Sequence, residues 1–201
     1  MIKLLKPYRP WHIIGDNGGQ VPFDRQWRGL HNLELKGNSV LDIGCAEGLV
    51  SMRCAEEGAS LVHGVELRER AVEVARSLAG YTNNAEHVKF FQADLSRPEQ
   101  ALNLPGMKQQ YDVVIANAVI QKVKKRASRL LEAVLSKASD QLLIRLPKRA
   151  VQTKDNSTVD PVERAKAAGF EMQWEACGYP EGDPPYPIEG EAWLALFKKV
   201  K

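Results

Sequence analysis

Asp42, Glu66 and Asp94 are the residues whose type and placement first suggest chemistry, because each stands at the end of a short apolar run. The first belongs to Val40-Leu-Asp-Ile-Gly-Cys-Ala-Glu-Gly48, in which Gly44, Ala46 and Gly48 fall at every second position. Gly44 permits a tight turn, Ala46 leaves little side chain against a ligand, and Gly48 lets a following helix start close to a sheet. Backbone N–H groups at that helix start are then available to a ligand. A dinucleotide would call for GxGxxG, whereas this chain has Ala46 at the middle position and Leu49 at the last. Glu47 at the helix start would repel a pyrophosphate and suits a ligand carrying a sulfonium and an ammonium. The turn therefore points away from NAD.

Those acids need strands to present them. Short apolar runs over Ser39–Ile43, Leu61–Glu66, Val88–Ala93, Tyr111–Ala116 and Gln141–Leu146 predict buried parallel strands. Helical periodicity lies between them, over Gly48–Glu57, Arg68–Ala79 and roughly 124–138. The connection 97–110 is irregular and contains Pro98, Pro105 and Gly106. Alternation of this kind predicts an α/β fold with a right-handed, doubly wound, mostly parallel seven-stranded sheet. A helix over Pro161–Ala168 ends at Gly169, and Phe170–Ala176 and Ala192–Lys199 read as a C-terminal antiparallel hairpin. The sixth strand is expected to run parallel to the first five. The long 178–191 loop, rich in Pro and Gly, would then emerge beside the ligand and help to form an acceptor pocket.

The segment VLDIGCAEG resembles the first signature of class I S-adenosylmethionine-dependent methyltransferases, which usually have glycine where Ala46 stands. The resemblance spans roughly residues 40–146. It implies S-adenosylmethionine as cofactor and methyl transfer as the reaction. Glu66, 24 residues after Asp42, would accept hydrogen bonds from both ribose hydroxyls. Asp94 would bind the adenine amino group, and Leu95 would offer its backbone N–H to the ring. Asp42, Gly44, Cys45, Ala46, Gly48, Leu67 and Asn117 complete the implied cofactor-binding set. Each acid also has an ordinary structural reading: Asp42 or Glu66 as a helix cap, Asp94 as the start of a turn.

The acceptor is less legible. No Asn/Asp-Pro-Pro-Tyr for amino-nitrogen methylation follows the fourth strand, and no Pro-Cys for cysteine-mediated pyrimidine methylation. No general base is evident, and the catalytic residues stay unassigned. His63 reads as a core histidine within the second strand and His87 as a solvent-facing one. Lys122, Lys124, Lys125, Arg126 and Arg129, with Lys148 and Arg149, form a basic group that suits an anionic acceptor, a small molecule or RNA, or is simply a solvated helix face. Residues 1–36 read as an N-terminal extension or lid and 37–201 as the methyltransferase domain. Within that extension, Trp11-His12 and Trp27-Arg28 loosely resemble the approach to the cofactor motif in tRNA wobble-uridine carboxymethyltransferases. Gln121 and Lys122 replace the aromatic residue and histidine of that group, so its substrate is not carried over. A noncatalytic, cofactor-binding partner subunit is the alternative to an enzyme.

Composition sets the remaining bounds. The 201 residues, 44% hydrophobic and 26% charged, suffice for one domain core. A net charge of +3 is too small to argue for nucleic acid by itself. No apolar run approaches a membrane span, and the N-terminus lacks the apolar stretch of a signal peptide. Three scattered cysteines without a CxxC pair suggest neither zinc nor redox chemistry, so a cytoplasmic protein with reduced thiols and no metal is expected. Oligomeric state is left open.

Overall fold

The computed structural model describes Pro10, His12, Trp27 and residues 29–147, 160–177 and 192–200. Seven strands form one sheet: β1 (Ser39–Ile43), β2 (Leu61–Glu66), β3 (Val88–Gln92), β4 (Tyr111–Asn117), β5 (Ala138–Pro147), β6 (Phe170–Cys177) and β7 (Ala192–Lys199). Their spatial order is β3-β2-β1-β4-β5-β7-β6. The first five are parallel, with Asp42 of β1 in register with Gly64 of β2 and Ile115 of β4. β7 is antiparallel to both β5 and β6, so β6 runs in the direction of the first five, as expected. The sequence foresaw the hairpin, but not that its second strand would insert between β5 and β6.

Alternation along each buried strand assigns side chains to two cores. Val40, Val113 and Leu143 face α1 (Leu49–Glu56) and α2 (Glu69–Ala79), which contribute Val50, Met52, Val72 and Ala75. Leu41, Val114, Leu142 and Ile144 face the other way, against Leu130, Leu131 and Val134 of α4 (Ala127–Lys137) and Ala165 of α5 (Pro161–Ala167). One helical turn, α3 (Pro98–Ala101), interrupts the connection expected to be irregular. Asp160 caps α5 by accepting from the N–H groups of Val162 and Glu163. The predicted 124–138 helix divides in two. A 3-10 segment, Ile120–Arg126, kinks at Lys124 before α4 begins, and β5 starts three residues early because Ala138 already pairs with Tyr111.

His63 is a core histidine, as expected. Its Nδ1 lies 2.7 Å from the Tyr111 hydroxyl, and burial, aided by Lys89 and Lys108, lowers its pKa to about 4. A folded-state pKa below the unfolded value of about 6.5 means that His63 resists protonation in the fold. Its contribution is complete above pH 6.5 and is lost as pH falls towards 4. Between pH 7 and 4.5 the wild type should therefore lose on the order of 2 kcal/mol more than His63→Gln in urea unfolding. Parallel pH dependences for the two proteins would remove His63 as the cause.

Candidate functional site

Between β1 and β4 the sheet order reverses, and such a switch point leaves a crevice at the carboxyl ends of the strands. A cavity of about 520 Å³ lies there, within the size range of small-molecule sites. Asp42, Gly44, Cys45, Ala46, Glu66, Leu67, Asp94, Leu95 and Asn117, all singled out from the sequence, line it. Gly48 does not. A Cβ on Gly48 would lie 2.5 Å from the Phe90 ring and 3.0 Å from the Ala75 Cβ, so its place is close helix–sheet packing rather than ligand contact.

The turn after β1 is held by β2. The N–H groups of Gly44 and Cys45 both donate to the Val65 carbonyl, at 2.8 and 3.1 Å. Gly44 has φ +79°, and a Cβ there would meet Val119 at 2.8 Å. Ala46 follows at φ +50°, a left-handed conformation that costs a side chain about 1–2 kcal/mol. Ala46→Gly should relieve that strain, less the extra freedom glycine gains in the unfolded chain, for a net stabilisation of about 0.5–1 kcal/mol. Denaturant midpoints read this directly, and a destabilised Gly variant would contradict a strained Ala46. Among the described residues the other non-glycine positive φ values are at Ala118 and Lys124, in the segment after β4. Ala46 and Lys124 line the cavity, and Ala118 sits between the lining residues Asn117 and Val119. Strain gathered at one cleft is a mark of a functional site.

The three acids meet different surroundings. Asp42 is buried and accepts from the Ser51 hydroxyl at 2.6 Å; burial raises its pKa to about 6 against the opposing pull of Ser51 and His12. Glu66 accepts from the Ala46 N–H at 3.1 Å and, through its other oxygen, from Arg68 N–H and Nε at 3.0 and 3.1 Å. A carboxylate has about four acceptor sites, so these bonds fix the orientation of Glu66 and use most of its capacity. Asp94 forms a turn: its oxygens accept from Ser96 N–H and Oγ at 2.9 and 2.8 Å, which hold its carboxyl below the usual range. That turn and a place in the cavity wall coexist.

Glu47 is not the open charge expected from the sequence. It is fully buried, outside the cavity lining, and faces Arg68 Nη2 at 3.6 Å and His12 Nδ1 at 3.2 Å. The His12 backbone N–H also donates to Glu47, at 3.0 Å. His12, 2% exposed, thereby becomes part of the cavity wall. Sequence reasoning had noted His12 only as part of an extension. Arg68, Ser96, Val119 and Val123 are lining residues that it missed.

The basic group divides. Lys122 and Lys124 line the cavity, and burial of its amine lowers the pKa of Lys122 although much of the residue is exposed. Arg126 instead donates to Ser96, and Arg129 pairs with Glu99. Lys148, Arg149 and the 178–191 loop lie outside the described residues, as does the N-terminal segment apart from Pro10, His12 and Trp27. Cys45 and Cys54 are free and buried, and burial pushes both thiols well above their ordinary pKa, which argues against a nucleophile. Among the described residues no helix is long and apolar enough to cross a membrane.

Residues 34–174 match the family described as a methyltransferase domain. A ribosomal protein L11 methyltransferase of Caldanaerobacter subterraneus subsp. tengcongensis is 33% identical over 90 residues, 45% of this chain and 26% of that protein. A putative protein N5-glutamine methyltransferase of Methanocaldococcus jannaschii is 35% identical over 89 residues, 44% of this chain and 40% of the relative. The chain thus spans well under half the length of these relatives. In structure it resembles magnesium protoporphyrin IX methyltransferase from Synechocystis PCC 6803, solved with bound S-adenosylmethionine, at TM-score 0.63 and 24% identity over 85% of this chain and 74% of the other.

Proposed function

The chain belongs to the methyltransferase-domain family, whose cofactor is S-adenosylmethionine, and on that premise we propose that it transfers a methyl group from this cofactor to an anionic acceptor. The observation that carries the reading is the convergence of Asp42, Glu66 and Asp94, from three successive strands, on one cavity at the switch point. The residues fit the cofactor. Glu66, already oriented by Ala46 and Arg68, is placed to accept from the ribose. Asp94 and Leu95 serve the adenine end, with Leu67 beside them on the wall. Asp42, with Gly44, Cys45 and Ala46, then lies at the amino-acid end, where little side chain separates ligand from backbone.

When bound, the cofactor supplies a methyl group already activated by the sulfonium. The chain's own task is to align the acceptor with that methyl and exclude water. Asn117 is placed to orient the acceptor, and Lys122 and Lys124 supply positive charge for an anionic one, a small molecule or RNA. Residues 1–36 would act as an extension closing on this domain. No observation favours the noncatalytic partner-subunit alternative. Calorimetry with S-adenosylmethionine, followed by labelled-methyl transfer to fractionated cell extract, tests the proposal. Binding with transfer to one fraction is expected; absence of binding would overturn it, and tight binding with transfer to no fraction would favour the noncatalytic module.

A further inference from the structure

His12 reaches the cavity from outside the matched span 34–174, and a residue that distant needs a reason to be there. Glu47 supplies it. This fully buried carboxylate lies in the turn between β1 and α1 and holds His12 twice, by the backbone N–H at 3.0 Å and beside Nδ1 at 3.2 Å. The other oxygen of Glu47 faces Arg68 at 3.6 Å, and Arg68 in turn bonds Glu66, so one chain of contacts runs from His12 to the acid assigned to the ribose. With Glu66 at the ribose and Asp94 at the adenine, the remaining end of the cavity holds Asp42 and Gly44. His12 lines the cavity and is held by Glu47, in the same turn as Gly44, Cys45 and Ala46, so it belongs to this end.

We propose that His12, oriented by Glu47, is a specificity-determining residue that faces the methyl-donating end of the cofactor and ranks the sulfonium form against its neutral demethylated product. The inference rests on the proposed cofactor site. The physical argument concerns one charge. S-adenosylmethionine and S-adenosylhomocysteine differ by the methyl group and by the positive charge it places on sulfur. A neutral imidazole in the wall tolerates that charge; an imidazolium repels it, and the repulsion is strong where water is excluded. Other charged groups share the enclosure: Asp42 and Glu66 from β1 and β2, Asp94 after β3, Arg68 after β2, and Lys122 and Lys124 after β4. Of these, Asp42 has a pKa raised by burial to about 6 and contributes its own pH dependence.

Two measurements on the full chain separate His12 from Asp42. Calorimetry with both ligands should show the dissociation-constant ratio, S-adenosylmethionine over S-adenosylhomocysteine, rising more than tenfold from pH 8 to pH 5.5, about tenfold being the effect of roughly one pKa unit of coupling at His12 and the rest that of Asp42. His12→Gln should lose at least half of that logarithmic change, leaving the part due to Asp42. By reciprocity, the imidazole of His12 should titrate about one unit lower in the S-adenosylmethionine complex than in the other. With four histidines in the chain, its resonance is identified by its loss in His12→Gln. Glu47→Gln should lower the His12 pKa in both complexes, which a merely structural contact would not do. An unchanged pH-dependent ratio in His12→Gln, or equal His12 pKa values in the two complexes, overturns the inference while leaving the cofactor site standing. Failure of the wild type to bind S-adenosylmethionine at any pH would instead overturn the site, and this inference with it.

Discussion

Glu66→Ala is expected to weaken S-adenosylmethionine binding by about 1.5–3 kcal/mol, because a charge-assisted hydrogen bond to the ribose is lost. The structure adds a second contribution in the same direction. Glu66 also accepts from the Ala46 N–H and from Arg68, so its removal loosens the adjoining turn, which lines the same cavity. Glu66→Gln separates the two contributions, since an amide oxygen can still accept from Ala46 while the negative charge is gone. Calorimetry on both folded variants reads the difference, with Gln expected to lie between wild type and Ala. Wild-type affinity in a folded Glu66→Ala protein would exclude the ribose assignment.

Gly44→Val should cost more and act on both stability and binding. At φ +79° a β-branched residue is strained by about 1–2 kcal/mol. Its Cβ would also stand 2.8 Å from Val119 Cγ2 and 2.9 Å from Val119 Cβ, closer than side-chain carbons pack. Overpacking of this kind adds about 1–3 kcal/mol, for a total of roughly 2–5 kcal/mol against a domain stability of about 5–15 kcal/mol. What folds would carry a displaced turn, and cofactor binding should disappear. Gly44→Ala, with the same strain but a smaller side chain, should fall between the two in urea unfolding and retain weakened binding. A valine variant with wild-type stability and affinity would mean that the cofactor lies elsewhere.

Much of the site was legible because its signals are local. A parallel strand buried on both faces reads as a continuous apolar run, and the acid that ends it is found by counting along the chain. Asp42, Glu66 and Asp94 needed no tertiary information to be placed at one edge, because parallel strands bring their carboxyl ends together. The Gly44 turn was equally local, since the need for positive φ is set within a few residues.

Tertiary structure decided the rest. Lys124 lies within a helical pattern, yet the chain kinks there, because the segment after β4 must both wall the cavity and start α4 against the sheet. Gly48 was expected both to bring the helix close to the sheet and to join the cofactor-binding set; the Phe90 ring, 42 positions further on, is the neighbour that makes the first role necessary. The position of β7 between β5 and β6 depends on pairing on both of its edges, which alternation within a strand does not encode. Glu47 and His12 show the limit most sharply. By sequence alone, Glu47 was an open charge at a helix start and His12 one residue of an extension. Burial forbids an isolated carboxylate, and the partner that resolves it comes from 35 residues away. Residue type and spacing determined where the ligand-facing acids stand. Which charges remain open to a ligand and which neutralise one another was set by long-range packing, because that depends on which groups lose water together.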